Sequence, residues 1–120
     1  DGIFDYQHYH SNTHEVMGVF CGKADVQFGG EHGVCIELDK GDVVVIPAGV
    51  AHMKLKSTDD FTVVGAYPNG SDYNIRYGKP EERPEADHDI AQVKNPDSDP
   101  VYGSKGHMFE CWYKQNCANV

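Results

Sequence analysis

Short apolar-rich runs separated by turn-forming residues fill the first two thirds of the chain. Residues 4–10, 15–21, 24–28, 34–38, 43–46, 53–56 and 61–67 have the length and composition of strands. Between them lie Ser11-Asn12-Thr13, Gly22-Lys23, a glycine-rich stretch over 29–33, another turn over 39–42, Pro47-Ala48-Gly49 and a polar turn over 57–60. Met53-Lys54-Leu55-Lys56 alternates apolar and basic positions, as a half-buried strand does. Val43-Val44-Val45-Ile46 is apolar on both faces, which predicts a strand covered on each side. Many short strands at close, regular spacing predict an antiparallel all-β sandwich or barrel.

After Tyr67 the pattern changes. Residues 74–77 suit one more edge strand, and residues 86–93 suit a short helix. The stretch 79–100 is proline-rich and acidic, with Glu81, Glu82, Glu85, Asp87, Asp89, Asp97 and Asp99 set against Lys79, Arg83 and Lys94. The last segment carries the single tryptophan, Trp112, beside Phe109 and Tyr113, and these rings are expected to pack on the barrel. The expected organisation is one domain over 1–120, with a barrel core at about 2–77 and an irregular or partly helical extension at about 78–120.

Charge narrows the partners. The chain is 120 residues long with a net charge of −9. That argues against nucleic acid, whose phosphates need clustered Lys and Arg. No apolar run reaches the roughly 18 residues of a spanning helix, and no membrane association is expected. No secretory leader is legible, so a reduced, cytoplasmic setting is the expectation. None of Cys21, Cys35, Cys111 and Cys117 forms a Cys-x-x-Cys pair; Cys21 and Cys35 read as small buried hydrophobes in strands, and Cys111 with Cys117 could pair only in an oxidising setting.

The chemistry concentrates in two stretches. His8 and His10 share one face of a strand, because residues two apart point the same way. A short turn brings the chain back so that Glu15 opens the next strand, and His52 follows the Pro47-Ala48-Gly49 corner. Three neutral imidazoles and one carboxylate suit a single divalent ion of Fe, Mn, Ni, Co or Zn, with positions left for exchangeable ligands. By the same parity Tyr6 shares the face of His8 and His10 and is a candidate acid or base, as Glu15 is. Phe4, Met17, Val26 and Phe28 can line a pocket or fill the core. His14 should face away from the ion, His32 and His88 should be exposed, and His107 cannot be placed. There is no nucleophile elbow, phosphate loop or dinucleotide fingerprint.

Spacing sharpens this reading. Gly2, five residues, His8-Tyr9-His10, four residues, Glu15, six residues and Gly22 match the first cupin motif. Gly41, five residues, Pro47-Ala48-Gly49, two residues and His52 match the second. The sequence therefore resembles the cupin superfamily. Tyr9-His10-Ser11 with His14-Glu15, and Asp99-Pro100-Val101-Tyr102-Gly103, look like a small, poorly characterised bacterial group within it, the YjlB-like proteins.

The resemblance implies a double-stranded β-helix, a jelly-roll-like barrel, with metal ligands at His8, His10, Glu15 and His52 near one mouth. It also implies a homodimer. Two departures stand out. Lys56 occupies the place where the second motif often has Asn. Members of the group usually carry a stretch ahead of the first motif, whereas this sequence opens at Asp1; its strands are expected to be lacking, supplied by a partner subunit or replaced by the tail. The fold hosts many reactions, so function is read only in class. The first expectation is a metal-dependent enzyme on a small polar organic substrate, of dioxygenase or isomerase type. The alternative is a non-catalytic binder of a small molecule or carbohydrate.

Overall fold

The computed structural model describes residues 2–113. Among these residues six strands form two antiparallel sheets. β1 (Glu15–Cys21) lies between β4 (Val43–Ile46) and β6 (Thr62–Ala66) in one; β2 (Lys23–Phe28) lies between β3 (Val34–Asp39) and β5 (His52–Ser57) in the other. Of the turns linking these strands, only the β2–β3 hairpin keeps the chain within one sheet. Every other link crosses between sheets, which closes the barrel and superposes the ends of strands far apart in sequence. No helix among the described residues is long and apolar enough to cross a membrane.

Strand parity decides what lies inside. On β1 the side chains of Glu15, Met17 and Val19 are buried, while Val16 and Gly18 are half-buried and Phe20 is exposed. Met17 and Val19 join Ile3, Ala24, Val26, Leu38, Ile46, Phe61 and Val63 in a single core between the sheets. Burying a side chain such as that of Val26 contributes about 1.5–3 kcal/mol. Glu15 is the polar exception on the inward face of β1, and that exception marks the site.

The expected strands at 15–21, 24–28, 34–38, 43–46, 53–56 and 61–67 are present with shifts of a residue or so at their ends. Two others differ. Residues 4–10 do not form a continuous strand: His8 bridges His52, Tyr9 bridges Arg76, and a bend lies at Asp5 and Tyr6. The segment changes partner along its length, so no ladder can propagate. Residues 74–77 contribute only the bridge at Arg76. The four apolar residues of β4 are not covered on both sides, because β4 is an edge strand and Val43 is exposed.

Beyond the strands, α1 (Glu85–Gln92) lies over the corner at Gly49, where Ile90 occupies the space a β-carbon would need. A polar cluster fastens it: Arg76 contacts both Asp89 and the fully buried Ser11, each at 3.3 Å. Then α2 (His107–Tyr113) brings Trp112 against the ring of His14, 4.8 Å between centroids. Cys21, Cys35 and Cys111 are free thiols; against the expectation of burial, Cys21 is half-buried and Cys35, on the edge strand β3, is exposed, while Cys117 lies outside the described residues.

Candidate metal centre

Three local devices bring the side chains together. His8 and His52 exchange backbone hydrogen bonds, 3.3 Å from His8 N–H to His52 and 2.9 Å in return. The corner before His52 is tied down where the Gly49 N–H donates to the His10 carbonyl at 2.8 Å. Glu15 opens β1 opposite Ile46, at the same end of the barrel. As a result His8, His10 and His52 each offer a ring nitrogen within 4.8 Å of the others, a group that could hold a metal ion. All three and Glu15 are buried.

The hydrogen bonds fix which nitrogen is offered. His8 Nδ1 meets the Tyr6 carbonyl at 3.1 Å, His10 Nδ1 the Asn74 carbonyl at 2.6 Å, and His52 Nδ1 the Val50 carbonyl at 3.1 Å. A carbonyl only accepts, so each Nδ1 carries the proton and each neutral ring keeps its lone pair on Nε2. Metal-binding imidazoles are commonly oriented this way. Nε2 of His10 lies 3.7 Å from Glu15 Oε2 and Nε2 of His52 lies 3.4 Å from Oε1; these contacts are electrostatic, not well-formed hydrogen bonds. Glu15 Oε1 is buried and has no hydrogen-bond partner. A buried charged oxygen left unpaired costs about 1–3 kcal/mol or more, so the donor set fits a cation lying among these groups.

His14 shows the contrast. Its Nδ1 accepts from the Ala48 N–H at 2.9 Å and its Nε2 donates to the Lys94 carbonyl at 3.0 Å. Both nitrogens are occupied, so no lone pair remains, and it is a buried structural histidine. His32 and His88 are exposed, and His107 opens α2 beside Glu110.

The electrostatics follow from burial and neighbours. Burial holds the His8 imidazole below its ordinary value, partly opposed by the Tyr6 carbonyl. Burial also works against protonation of His10, but Glu15 and the Asn74 carbonyl outweigh it and raise its value. For Glu15 burial pushes upward, yet His10, His52 and Tyr67 hold the carboxyl well below the usual range. Burial and the adjacent carboxylate push the Tyr67 phenol far up, so it remains a neutral donor.

A cavity of about 840 Å³ opens above the cluster. Phe4, Ile3, Met17, Val63, Thr62, Tyr67 and Tyr73 share its walls with the histidines and Glu15. Tyr6 is not part of the wall. It stacks on Phe4 at 4.9 Å and meets the His8 ring edge-on at 5.7 Å, with its backbone carbonyl doing the orienting. Val26 belongs to the core and Phe28 packs against it. Lys56 is exposed beside Asp25, away from the cavity. Sequence reasoning missed Tyr67, Tyr73 and Asn74. Tyr67 follows β6 on the parity of buried Val63, which was a usable signal; Asn74 acts through its backbone, and no side-chain pattern announces that.

This architecture and histidine cluster define a barrel of the cupin type. The chain belongs to the cupin family, whose model, described as Cupin, matches residues 6–75. It is 52% identical over 112 residues to the uncharacterized protein YjlB of Bacillus subtilis (strain 168), spanning 93% of this chain and 68% of that protein. No solved structure matches significantly.

Proposed function

We propose that the chain is a divalent-metal-dependent enzyme acting on a small organic molecule, with His8, His10, Glu15 and His52 as the ligands. The observation that carries this reading is the common tautomer: three Nδ1–H groups donate to carbonyls, leaving three Nε2 lone pairs beside an unpartnered carboxylate oxygen. An ion of the Fe, Mn, Ni, Co or Zn group, when bound, supplies Lewis acidity and, with Fe(II), a site for O₂. The chain's own residues do the rest. Phe4, Tyr67 and Tyr73 offer flat faces, Ile3, Met17 and Val63 exclude water, and among the described residues no Lys or Arg lines the cavity. The substrate this wall suits presents a polar end to the histidines and an apolar body to the rings. Dioxygenase or isomerase chemistry fits such a centre.

A carbohydrate-binding reading draws on the exposed rings of Phe4, Tyr6, Tyr73 and Tyr77. Against it, among the described residues the walls offer only Thr62, Tyr67 and Tyr73 as hydrogen-bonding side chains beyond the histidine–glutamate set, too few for a buried sugar. Elemental analysis of protein purified without chelator or affinity metal tests the centre; metal-free protein would overturn it. O₂ uptake by the Fe(II)-loaded protein across thiols, enols, flavonols and keto acids, with sugar-isomerase assays alongside, separates enzyme from binder. Silence across both sets favours the binder.

A further inference from the structure

We infer that Tyr67 is a positioning residue of the centre: its hydroxyl bonds Oε2 of Glu15, the oxygen nearer His10, and leaves Oε1 unpartnered beside His52. This rests on the metal reading above and adds a device to it.

The placement comes from the sheet. β1 pairs with β6 so that Val16 faces Ala66; continuing that register sets Tyr67, the next residue, opposite Glu15. The Tyr67 hydroxyl donates to Glu15 Oε2 at 2.6 Å, the length of a strong bond to a charged acceptor. Among the described residues it is the hydrogen-bond donor to that carboxylate. Oε1 is thereby the oxygen left without a partner, 3.4 Å from His52 Nε2.

Orientation is what the carboxylate lacks by itself. The terminal torsion of a glutamate is broad, so an unbonded carboxylate turns freely between its two faces. Tyr67 can hold it because its own ring is held. It stacks on Tyr73 at 4.8 Å and 23°, and stands edge-on to His10 at 5.8 Å and 87°. Tyr73 meets the same histidine at 5.0 Å. A neutral donor is the appropriate kind. A Lys or Arg in its place would pair with the carboxylate and cancel the charge that the cation needs.

A buried tyrosine that merely needed an acceptor would give the same bond, so the test must separate positioning from packing. Co²⁺ affinity is measured by competition with a chromophoric chelator for the wild type, Tyr67→Phe, Glu15→Ala and the double variant, together with the visible Co²⁺ spectrum and the melting temperature of each metal-free protein. The expected result is a 10–100-fold loss of affinity in Tyr67→Phe, with a changed spectrum and little change in melting. In the Glu15→Ala background the same change should have no further effect, because the hydroxyl acts through the carboxylate. Equal affinity and an unchanged spectrum in Tyr67→Phe overturn the inference, as does an equal loss in both backgrounds. If Glu15→Ala does not fold, Glu15→Gln replaces it in the cycle. A wild type that binds no Co²⁺ fails at the earlier step and takes the metal reading with it.

Discussion

His8 and His52 are joined twice: their backbones exchange two hydrogen bonds, and their imidazole centroids lie 4.1 Å apart. The first joint belongs to the fold and the second to the site. Because the pairing runs through N–H and C=O groups, it does not depend on the imidazoles. The two motif segments therefore stay together when a ring is removed, and loss of metal can be read separately from loss of structure.

Replacing a ring whose Nε2 is free should act on metal; replacing one whose nitrogens are both engaged should act on stability. His8→Ala is expected to lower the metal content at least 10-fold while keeping the far-ultraviolet circular dichroism of the barrel. His14→Ala should retain the metal, but it strands the Ala48 N–H and the Lys94 carbonyl and should cost about 1–3 kcal/mol. Elemental analysis and urea unfolding on the two variants check this; metal loss in His14→Ala with His8→Ala unaffected would refute the assignment.

The difference between these histidines marks how far sequence carries. Residues two apart on an extended segment share a face, so His8 beside His10 is legible without a structure. The motif glycines and Pro47 then place His52 over them. Parity also turns Glu15 inward and, extended from Val63, would have placed Tyr67. What parity cannot give is a role played by the backbone. The carbonyls of Tyr6, Val50 and Asn74 fix the tautomers, and a carbonyl leaves no trace in residue type. Nor does local pattern reveal that residues 4–10 divide their pairing between His52 and Arg76, since that depends on which segments the closed barrel brings alongside.

Asn74 illustrates the same limit and gives a second prediction. Its carbonyl receives His10 Nδ1–H, while its side chain accepts from the Ser11 N–H at 2.9 Å and donates to the Ser11 hydroxyl at 2.8 Å. Asn74→Ala keeps the carbonyl but loses the clamp that sets its position. Metal affinity should fall about 10-fold and stability by about 1–3 kcal/mol. Competition with a chelator and a denaturant titration measure the two; an unchanged affinity would show that His10 needs no such support.

Acid should act on the segment after the barrel through Glu82. Its carboxylate accepts from the backbone N–H groups of Tyr77, Gly78 and Lys79 at 2.8–3.1 Å. Burial is the largest single influence and opposes ionisation, but the three backbone bonds together with Arg76 prevail and lower its value. A carboxyl depressed in the folded state lends stability that is present above the unfolded value of about 4.3 and is lost as pH falls through the folded one. Glu82→Gln should thus be less stable than wild type at pH 7, with a gap that narrows toward pH 3. Urea midpoints across that range test it, and a gap independent of pH would rule the account out.

The corner before His52 should be sensitive at Gly49. Its φ is +89°, a conformation that costs an L-residue about 1–2 kcal/mol, and its N–H holds the His10 carbonyl. A β-carbon added there would also meet Ile90 Cδ1 at 2.8 Å. That atom is the end of a flexible side chain and can move aside, so backbone strain should dominate over collision. Gly49→Ala is therefore expected to lower stability by about 1–2 kcal/mol and to weaken metal binding by shifting His10 against His52. Adding Ile90→Ala removes the collision but leaves the strain, and should restore little. Calorimetry on the single and double variants decides between the two causes: recovery in the double variant would make α1, rather than the turn, the reason for glycine at this position.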